Sequence, residues 1–164
     1  MHTQALEFYR QQLSRLDPLR VVEFGSLDVN GSVRSVYCQA ESWWGVDVVY
    51  GPGVNEVADA AHWDTIHRFD VAVCAEVFEH TEDWRDILAT AHNVLVPGGL
   101  LVASCATEDR PAHSVSGGDL KDGEYYKNVS RSEMVTALKT WTEHTVTVAD
   151  GHFGNDDLYV TARK

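Results

Sequence analysis

"VVEFGSLDVNGS", residues 21–32, decides how the chain is read. Val21, Val22 and Phe24 form a short apolar run that carries Glu23 and stops at Gly25. A polar turn follows and closes on Asn30-Gly31-Ser32. A strand that breaks at glycine and then opens a helix is the layout of a nucleotide-binding βα unit. This loop holds Asp28 and has no lysine or arginine before Arg34. Such a loop is poorly suited to pyrophosphate. It better suits a nucleoside whose appended group is cationic.

Working outward, Leu6, Tyr9, Leu13 and Leu16 stand at helical spacing, so residues 3–16 are expected to form an amphipathic helix, ended by Asp17-Pro18. Residues 20–24 read as a buried strand, and a short helix is expected from near Gly31, carrying Val33 and Val36. "WWGVDVV", 43–49, is a second strand closed by Gly51-Pro52-Gly53, and 54–58 a short third. "FDVAVCAEV", 69–77, is an apolar strand ending at an acid. A helix over 82–95 follows, with Thr81 as its cap and Trp84, Ile87, Leu88, Ala91 and Leu95 facing inward. Pro97-Gly98-Gly99 is expected to turn into "LLVASC", a fifth strand. Residues 107–129 are polar and glycine-bearing, a long loop. "SRSE", 130–133, is a capping-box signature before a helix to about 141. Two strands, 143–149 and 157–163, close the chain, joined by a loop with Gly151, Gly154 and Asn155. Strands alternating with helices imply an α/β fold with a mostly parallel, doubly wound sheet. The last two strands lack a helix between them, which puts one antiparallel strand at or near an edge.

The 164 residues suffice for one domain, taken as 1–164. Hydrophobic content of 44% and charged content of 23% are ordinary for a globular chain. No apolar run reaches the length of a membrane span, and with its polar, charged start no secretory signal is expected. Cys38, Cys74 and Cys105 are scattered, with no C-x-x-C pair, so a reduced, cytoplasmic setting is expected. The net charge of −12 argues against broad binding to nucleic acid. The oligomeric state is not legible.

In an open α/β sheet, ligands bind beyond the carboxyl ends of the strands. Three such ends carry Glu23, Asp47 and Glu76, each a rare charge in an apolar segment. Any one could cap a neighbour or face water. Three together, with glycines beside two of them, favour a ligand. Asp47 closes the second strand, where an acid accepts hydrogen bonds from ribose hydroxyls. The fingerprint G-x-G-x-x-G is absent.

These segments, in this order, resemble the class I S-adenosylmethionine-dependent methyltransferases, with residues 20–106 carrying the likeness. "VVEFGSLDVNGS" resembles the family's first motif, with a loop about two residues longer than E/D-x-G-x-G-x-G. "GVDVV" resembles the second, "ADA" (58–60) the segment at the adenine edge, and "FDVAVCAEVFEH" (69–80) the fourth. "LVPGGLLVAS" resembles the structural turn and strand that follow. The resemblance implies a Rossmann-like, seven-stranded methyltransferase fold with S-adenosylmethionine as cofactor. Glu23 would lie near its methionine ammonium, above the turn of Gly25, Ser26, Asn30 and Gly31. Asp47 would hold the ribose, with Val48 on the adenine and Asp59 and Ala60 at the adenine edge. Ala75 and Glu76 would lie near the methionine part.

Methyl transfer from a sulfonium is an in-line displacement, so positioning can supply most of the acceleration. A general base is needed only if the acceptor must lose a proton. The catalytic candidates are His80, just past the fourth strand, and His113 and Tyr126 in the long loop. Each has an alternative: for His80, capping or packing against the following helix, and for the loop, a lid without chemistry. The loop is expected to close over the acceptor and to stand apart from the cofactor contacts. The histidines show no metal-ligand spacing ("EHTED" is not H-E-x-x-H), so no metal is expected. The favoured reading is a methyltransferase acting on a small-molecule acceptor, with no membrane partner. A non-catalytic module binding S-adenosylmethionine or S-adenosylhomocysteine, and an NAD-binding Rossmann domain, are the alternatives.

Overall fold

Burial follows the apolar runs. In a computed structural model, which describes residues 3–14, 16–17, 19–149 and 157–164, the run at 69–75 becomes β4 (Phe69–Ala75), and Val71, Ala72, Val73 and Cys74 are wholly buried. A strand without polar alternation needs cover on both faces, and β4 has it. It lies in the middle of a seven-stranded sheet of order β3-β2-β1-β4-β5-β7-β6. The other strands are β1 (Arg20–Phe24), β2 (Ser42–Asp47), β3 (Glu56–Val57), β5 (Leu95–Ala106), β6 (Glu143–Ala149) and β7 (Asp157–Arg163). β1 pairs in parallel with both β2 and β4, and β4 with β5. β7 runs antiparallel to β5 and β6. The antiparallel strand is therefore one place in from the edge. β6 takes the edge itself, with mostly exposed polar side chains that suit an unpaired border.

Helix α1 (Thr3–Leu13) and a 3-10 turn at Val33–Val36 cover one face, packing Tyr9, Leu13, Val33 and Tyr37 on Val21, Val71, Val73 and Val102. Helices α2 (Trp84–Val94) and α3 (Arg131–Ala137) cover the other, where Phe24, Trp63, Trp84, Ile87, Leu138 and Trp141 gather. The predicted capping box is present: Ser130 accepts from Glu133 N at 3.2 Å, and Glu133 accepts from Ser130 N at 3.1 Å.

The short helix expected after Gly31 is a 3-10 turn over Val33–Val36, with Val33 buried and Val36 packed against the core. Two local expectations are corrected. Thr81 does not cap α2. Its Oγ1 accepts from Asp83 N at 3.1 Å, and the helix starts at Trp84, behind Asp83, which makes no side-chain cap bond. Pro97-Gly98-Gly99 lies inside β5 as a bulge: Phe69 pairs with Leu95, yet Val71 pairs with Leu100. The loop at Gly151, Gly154 and Asn155 lies outside the described residues.

One buried hydroxyl joins α1 to the sheet's carboxyl end. Tyr9 OH reaches Cys74 O at 3.0 Å and Ser104 Oγ at 3.1 Å, and Ser104 Oγ donates to Glu76 Oε1 at 2.6 Å. Tyr9→Phe keeps the ring and removes the bond. It should lower stability by about 1–2 kcal/mol, the scale of one buried hydrogen bond, and move the urea midpoint without changing the slope. An unchanged midpoint would show that the hydroxyl contributes nothing.

Candidate active site

The strand order reverses between β1 and β4, and a cleft of about 310 Å³ opens there, beyond the carboxyl ends. Glu23, Gly25, Ser26, Asn30, Gly31, Asp47, Val48, Asp59, Ala60, Ala75 and Glu76 all line it, and so does His80. His113 and Tyr126 do not. They stand behind His80, their rings packed on it at 5.1 and 5.5 Å and on each other at 4.9 Å. These twelve residues come from four strand ends, which is why distant sequence segments meet in one cleft.

Charge is the cleft's main feature. Four carboxylates line it, and there is no lysine or arginine among its described lining residues. Arg34, the first base after the loop, is turned beneath it. Its Nε donates to Glu23 Oε2 at 3.3 Å, and its Nη2 donates to Gly53 O and, at 3.5 Å, to Asn55 Oδ1. Glu23 also accepts from Trp43 Nε1 at 2.8 Å and is only 3% exposed. Burial pushes its carboxyl up to about 7, against the pull of the Trp43 hydrogen bond and the Arg34 charge.

Asp47 does more than end its strand. Oδ2 accepts from Leu27 N at 3.0 Å, pinning the first loop, and Oδ1 accepts from Val49 N at 2.9 Å. Each oxygen keeps a further lone pair. Asp59 is held the same way, by Ala61 N at 2.9 Å and by His62 Nδ1 at 3.2 Å. Ser26 Oγ is buried in the cleft wall without a partner among the described residues. Val29, Val48, Val49 and Val115 line the mouth with their side chains exposed, Val48 at 66%. An apolar rim over polar walls is the make-up of a small-ligand cleft.

Two backbone positions fix the floor. Gly25 has φ 68, and a Cβ there would come within 2.2 Å of Val77 Cγ2. The space a side chain at Gly25 would need is therefore filled by Val77, from the turn that follows β4, while Gly25 itself lines the cleft. Among the described residues Glu76 is the one non-glycine with positive φ, 57°. Glu76 N donates to Ser104 O at 2.9 Å while its side chain accepts from Ser104 Oγ, so two bonds hold the strained turn.

The 107–129 loop is tied at its base: Val129 N donates to Ala106 O at 3.1 Å, Lys127 N to Glu79 O at 2.8 Å, and Arg110 pairs with buried Asp157 at 2.7 Å. Its tip folds on itself through Ser114, whose Oγ meets Glu124 Oε1 at 2.8 Å. Val115 lines the cleft, and Gly117 lies against the Asn30 side chain. The expected separation of lid from cofactor contacts is thus not kept.

Burial first, and then His113, lowers the His80 imidazole to about 4, so it is neutral at pH 7. Burial raises the Tyr126 phenol, so its hydroxyl stays protonated there. Sequence reading missed Glu79, which is fully buried beside His80. The acid inside "VFEH" was its signal, a charge between apolar neighbours. It also missed that Glu79, His80 and His113 bring one donor atom each within 4.8 Å of one another. His113 is too far along the chain for spacing to reveal this.

The first 101 residues of the chain match a family model described as a methyltransferase domain. Comparison with curated proteins finds no match. Among solved structures, the N-methyltransferase NodS of Bradyrhizobium japonicum, in complex with S-adenosylhomocysteine, is similar with a TM-score of 0.68 and 17% identity, over 98% of this chain and 85% of that one. The 1,6-didemethyltoxoflavin-N1-methyltransferase of Burkholderia thailandensis has a TM-score of 0.70 and 20% identity, over 99% and 77%. An S-adenosylmethionine-dependent methyltransferase of Mesorhizobium loti has 0.70 and 18%, over 95% of each chain. At these identities the likeness is one of fold.

The raised Glu23 carboxyl has a consequence for stability. Between an ordinary carboxyl near 4.5 and about 7, the folded protein holds a proton that the unfolded chain has released. This contribution is fully present below about 4.5 and lost as pH rises through about 7, by roughly 3 kcal/mol at most. Glu23→Gln should therefore gain stability on the parent as pH goes from 5 to 8. Parallel pH curves for the two proteins would remove Glu23 as a buried titrating group.

Proposed function

The chain belongs to the methyltransferase-domain family, and from that premise we propose that it transfers a methyl group from S-adenosylmethionine to a small-molecule acceptor. The observation that carries this reading is a cleft with four carboxylates and no lysine or arginine among its described lining residues. A dinucleotide would bring a pyrophosphate into that field. A nucleoside with a sulfonium and an ammonium brings positive centres, which the field favours.

Glu23 would face the ammonium, Asp47 the ribose hydroxyls, and Asp59 with the backbone of Ala60 the adenine edge. Val48 would pack on the ring. The unpartnered Ser26 hydroxyl and the backbone of Gly25, Asn30 and Gly31 would close the floor, with Ala75 and Glu76 beside the methionine part. When bound, S-adenosylmethionine would supply a methyl on sulfonium: an acceptor lone pair would bond to that methyl carbon as the carbon–sulfur bond breaks, its electron pair going to sulfur to leave the neutral thioether. The chain's part is to position the acceptor and exclude water. His80 would face the acceptor, with His113 and Tyr126 packed behind it. A lid tip that reaches the cleft through Val115 leaves room for a small acceptor, and a net charge of −12 disfavours nucleic acid. Among the described residues no helix is long and apolar enough to cross a membrane. The reading takes residues 1–164 as one catalytic domain in a reducing, cytoplasmic setting, consistent with three unpaired cysteines.

Asp47→Ala should weaken S-adenosylhomocysteine binding by roughly 1.5–3 kcal/mol, the scale of a hydrogen bond to a charged group. It should also lower the melting temperature, because Leu27 N and Val49 N lose their acceptor. Calorimetry beside a thermal melt reads both. Reduced stability with unchanged affinity would leave Asp47 as a loop clamp only. Methyl release from labelled S-adenosylmethionine across amine, phenol and thiol acceptors tests catalysis. Binding without transfer to any of them would favour the non-catalytic module.

A further inference from the structure

The cluster behind His80 holds more donor atoms than the fold uses. Glu79 is fully buried, and its Oε1 accepts from Ala106 N at 3.1 Å. Its Oε2 is buried with no partner among the described residues, and so are His80 Nδ1 and the Tyr126 hydroxyl. A carboxylate oxygen shut away from water without a donor is costly. Two of these three atoms belong to neighbouring residues of one turn, Glu79 and His80, and call for a partner.

The geometry supplies a place for one. One donor atom from each of Glu79, His80 and His113 lies within 4.8 Å of the others. Ligands of a tetrahedral ion stand roughly 3.4 Å apart when each bond is about 2.1 Å. The difference is within the reach of the His113 ring, which is carried on the loop. His113 Nδ1 faces Pro111 O at 3.1 Å. A carbonyl can only accept, so Nδ1 carries the proton and Nε2 keeps its lone pair for a ligand bond. Glu79 and His80 share a 3-10 turn, Phe78–His80, tied to the loop by Lys127 N on Glu79 O at 2.8 Å. Two imidazoles and one carboxylate are a donor set for Zn²⁺ and its divalent neighbours, whereas Mg²⁺ and Ca²⁺ prefer oxygen. The surrounding charge is mixed: Glu76 lies close enough to act on Glu79, and so does the Arg110 guanidinium, which is itself paired with buried Asp157.

We propose that Glu79, His80 and His113 form a binding site for one divalent first-row transition-metal ion at the wall where His80 faces the cleft. The ion would lie behind His80, between it and the loop that carries His113. Its binding does not rest on the methyl-transfer reading above.

The test uses the whole protein, stripped with a chelator and titrated with Co²⁺ by visible absorption and with Zn²⁺ by calorimetry. One equivalent of each should bind, and Co²⁺ should show ligand-field bands of a site with nitrogen ligands. His113→Ala and Glu79→Gln should each weaken binding roughly 100-fold or more. His144→Ala, on exposed β6, should change nothing. If Glu79→Gln does not fold, His113→Ala on the surface loop still decides the matter. No saturable binding, or binding unchanged in His113→Ala, would overturn the site. S-adenosylhomocysteine titrated into the metal-free protein keeps the two readings apart. Metal binding without S-adenosylhomocysteine binding would sink the cofactor reading alone, and the reverse would sink the metal site alone.

Discussion

A carboxylate buried at the end of a central strand has to be matched, and how Glu23 is matched shapes everything around it. Its partners, Arg34 and Trp43, come from beneath the first loop. Arg34 also holds Gly53 O, so one guanidinium ties β1 to the turn that follows β2. The base a phosphate would need is thereby spent on structure. What remains above the loop is a field of acids, with Asp47 clamping Leu27 and Glu76 held by Ser104. The same bonds that make the loop rigid make the cleft negative. Fold stability and ligand preference are two results of one arrangement.

A second consequence runs through the sheet. Tyr9 reaches Ser104, which reaches Glu76, so helix α1 is joined to the cleft by hydrogen bonds across buried ground. Glu76 in turn sits at a positive φ beside Gly25, with Val77 filling the space that a side chain at Gly25 would need. The ends of β1 and β4 are thus locked to each other. A preformed site lowers the ordering cost of binding, and this one is preformed on the side of Glu23, Asp47 and Glu76. The side of the cleft next to His80 is built differently, from a 3-10 turn and a loop whose tip is held mainly by its own hydrogen bonds.

Much of this was legible in the chain. The runs at 21–24 and 69–75 are apolar, bounded and broken by glycine or an acid, and they became the central strands. The three acids at strand ends stood out because a charge in such a run needs a reason, and all three line one cleft. The capping box was legible because it is local. What stayed hidden depends on tertiary contact. In the sequence Arg34 is simply the first base after the loop, and only packing shows it bonded to Glu23 and Gly53. Thr81 has the chemistry of a cap, yet the turn at Phe78–His80 delays the helix. Pro97-Gly98-Gly99 signals a turn, while strand pairing on both sides absorbs it as a bulge. His113 meets His80 only because the loop folds back, and no spacing rule spans that distance.

The central claim is that the acid field, with Glu23 at its base, receives the cationic end of S-adenosylmethionine. It is tested most directly by the protons that move when S-adenosylhomocysteine binds. With its carboxyl up at about 7, Glu23 is largely protonated at pH 6. An ammonium brought against it should drive that proton off. Calorimetric titration at pH 6, in two buffers of different ionisation enthalpy, counts the protons released. The account predicts binding with release of a good fraction of one proton, and loss of that release in Glu23→Gln. Binding of S-adenosylhomocysteine with no linked proton, or a release unchanged in Glu23→Gln, would contradict it.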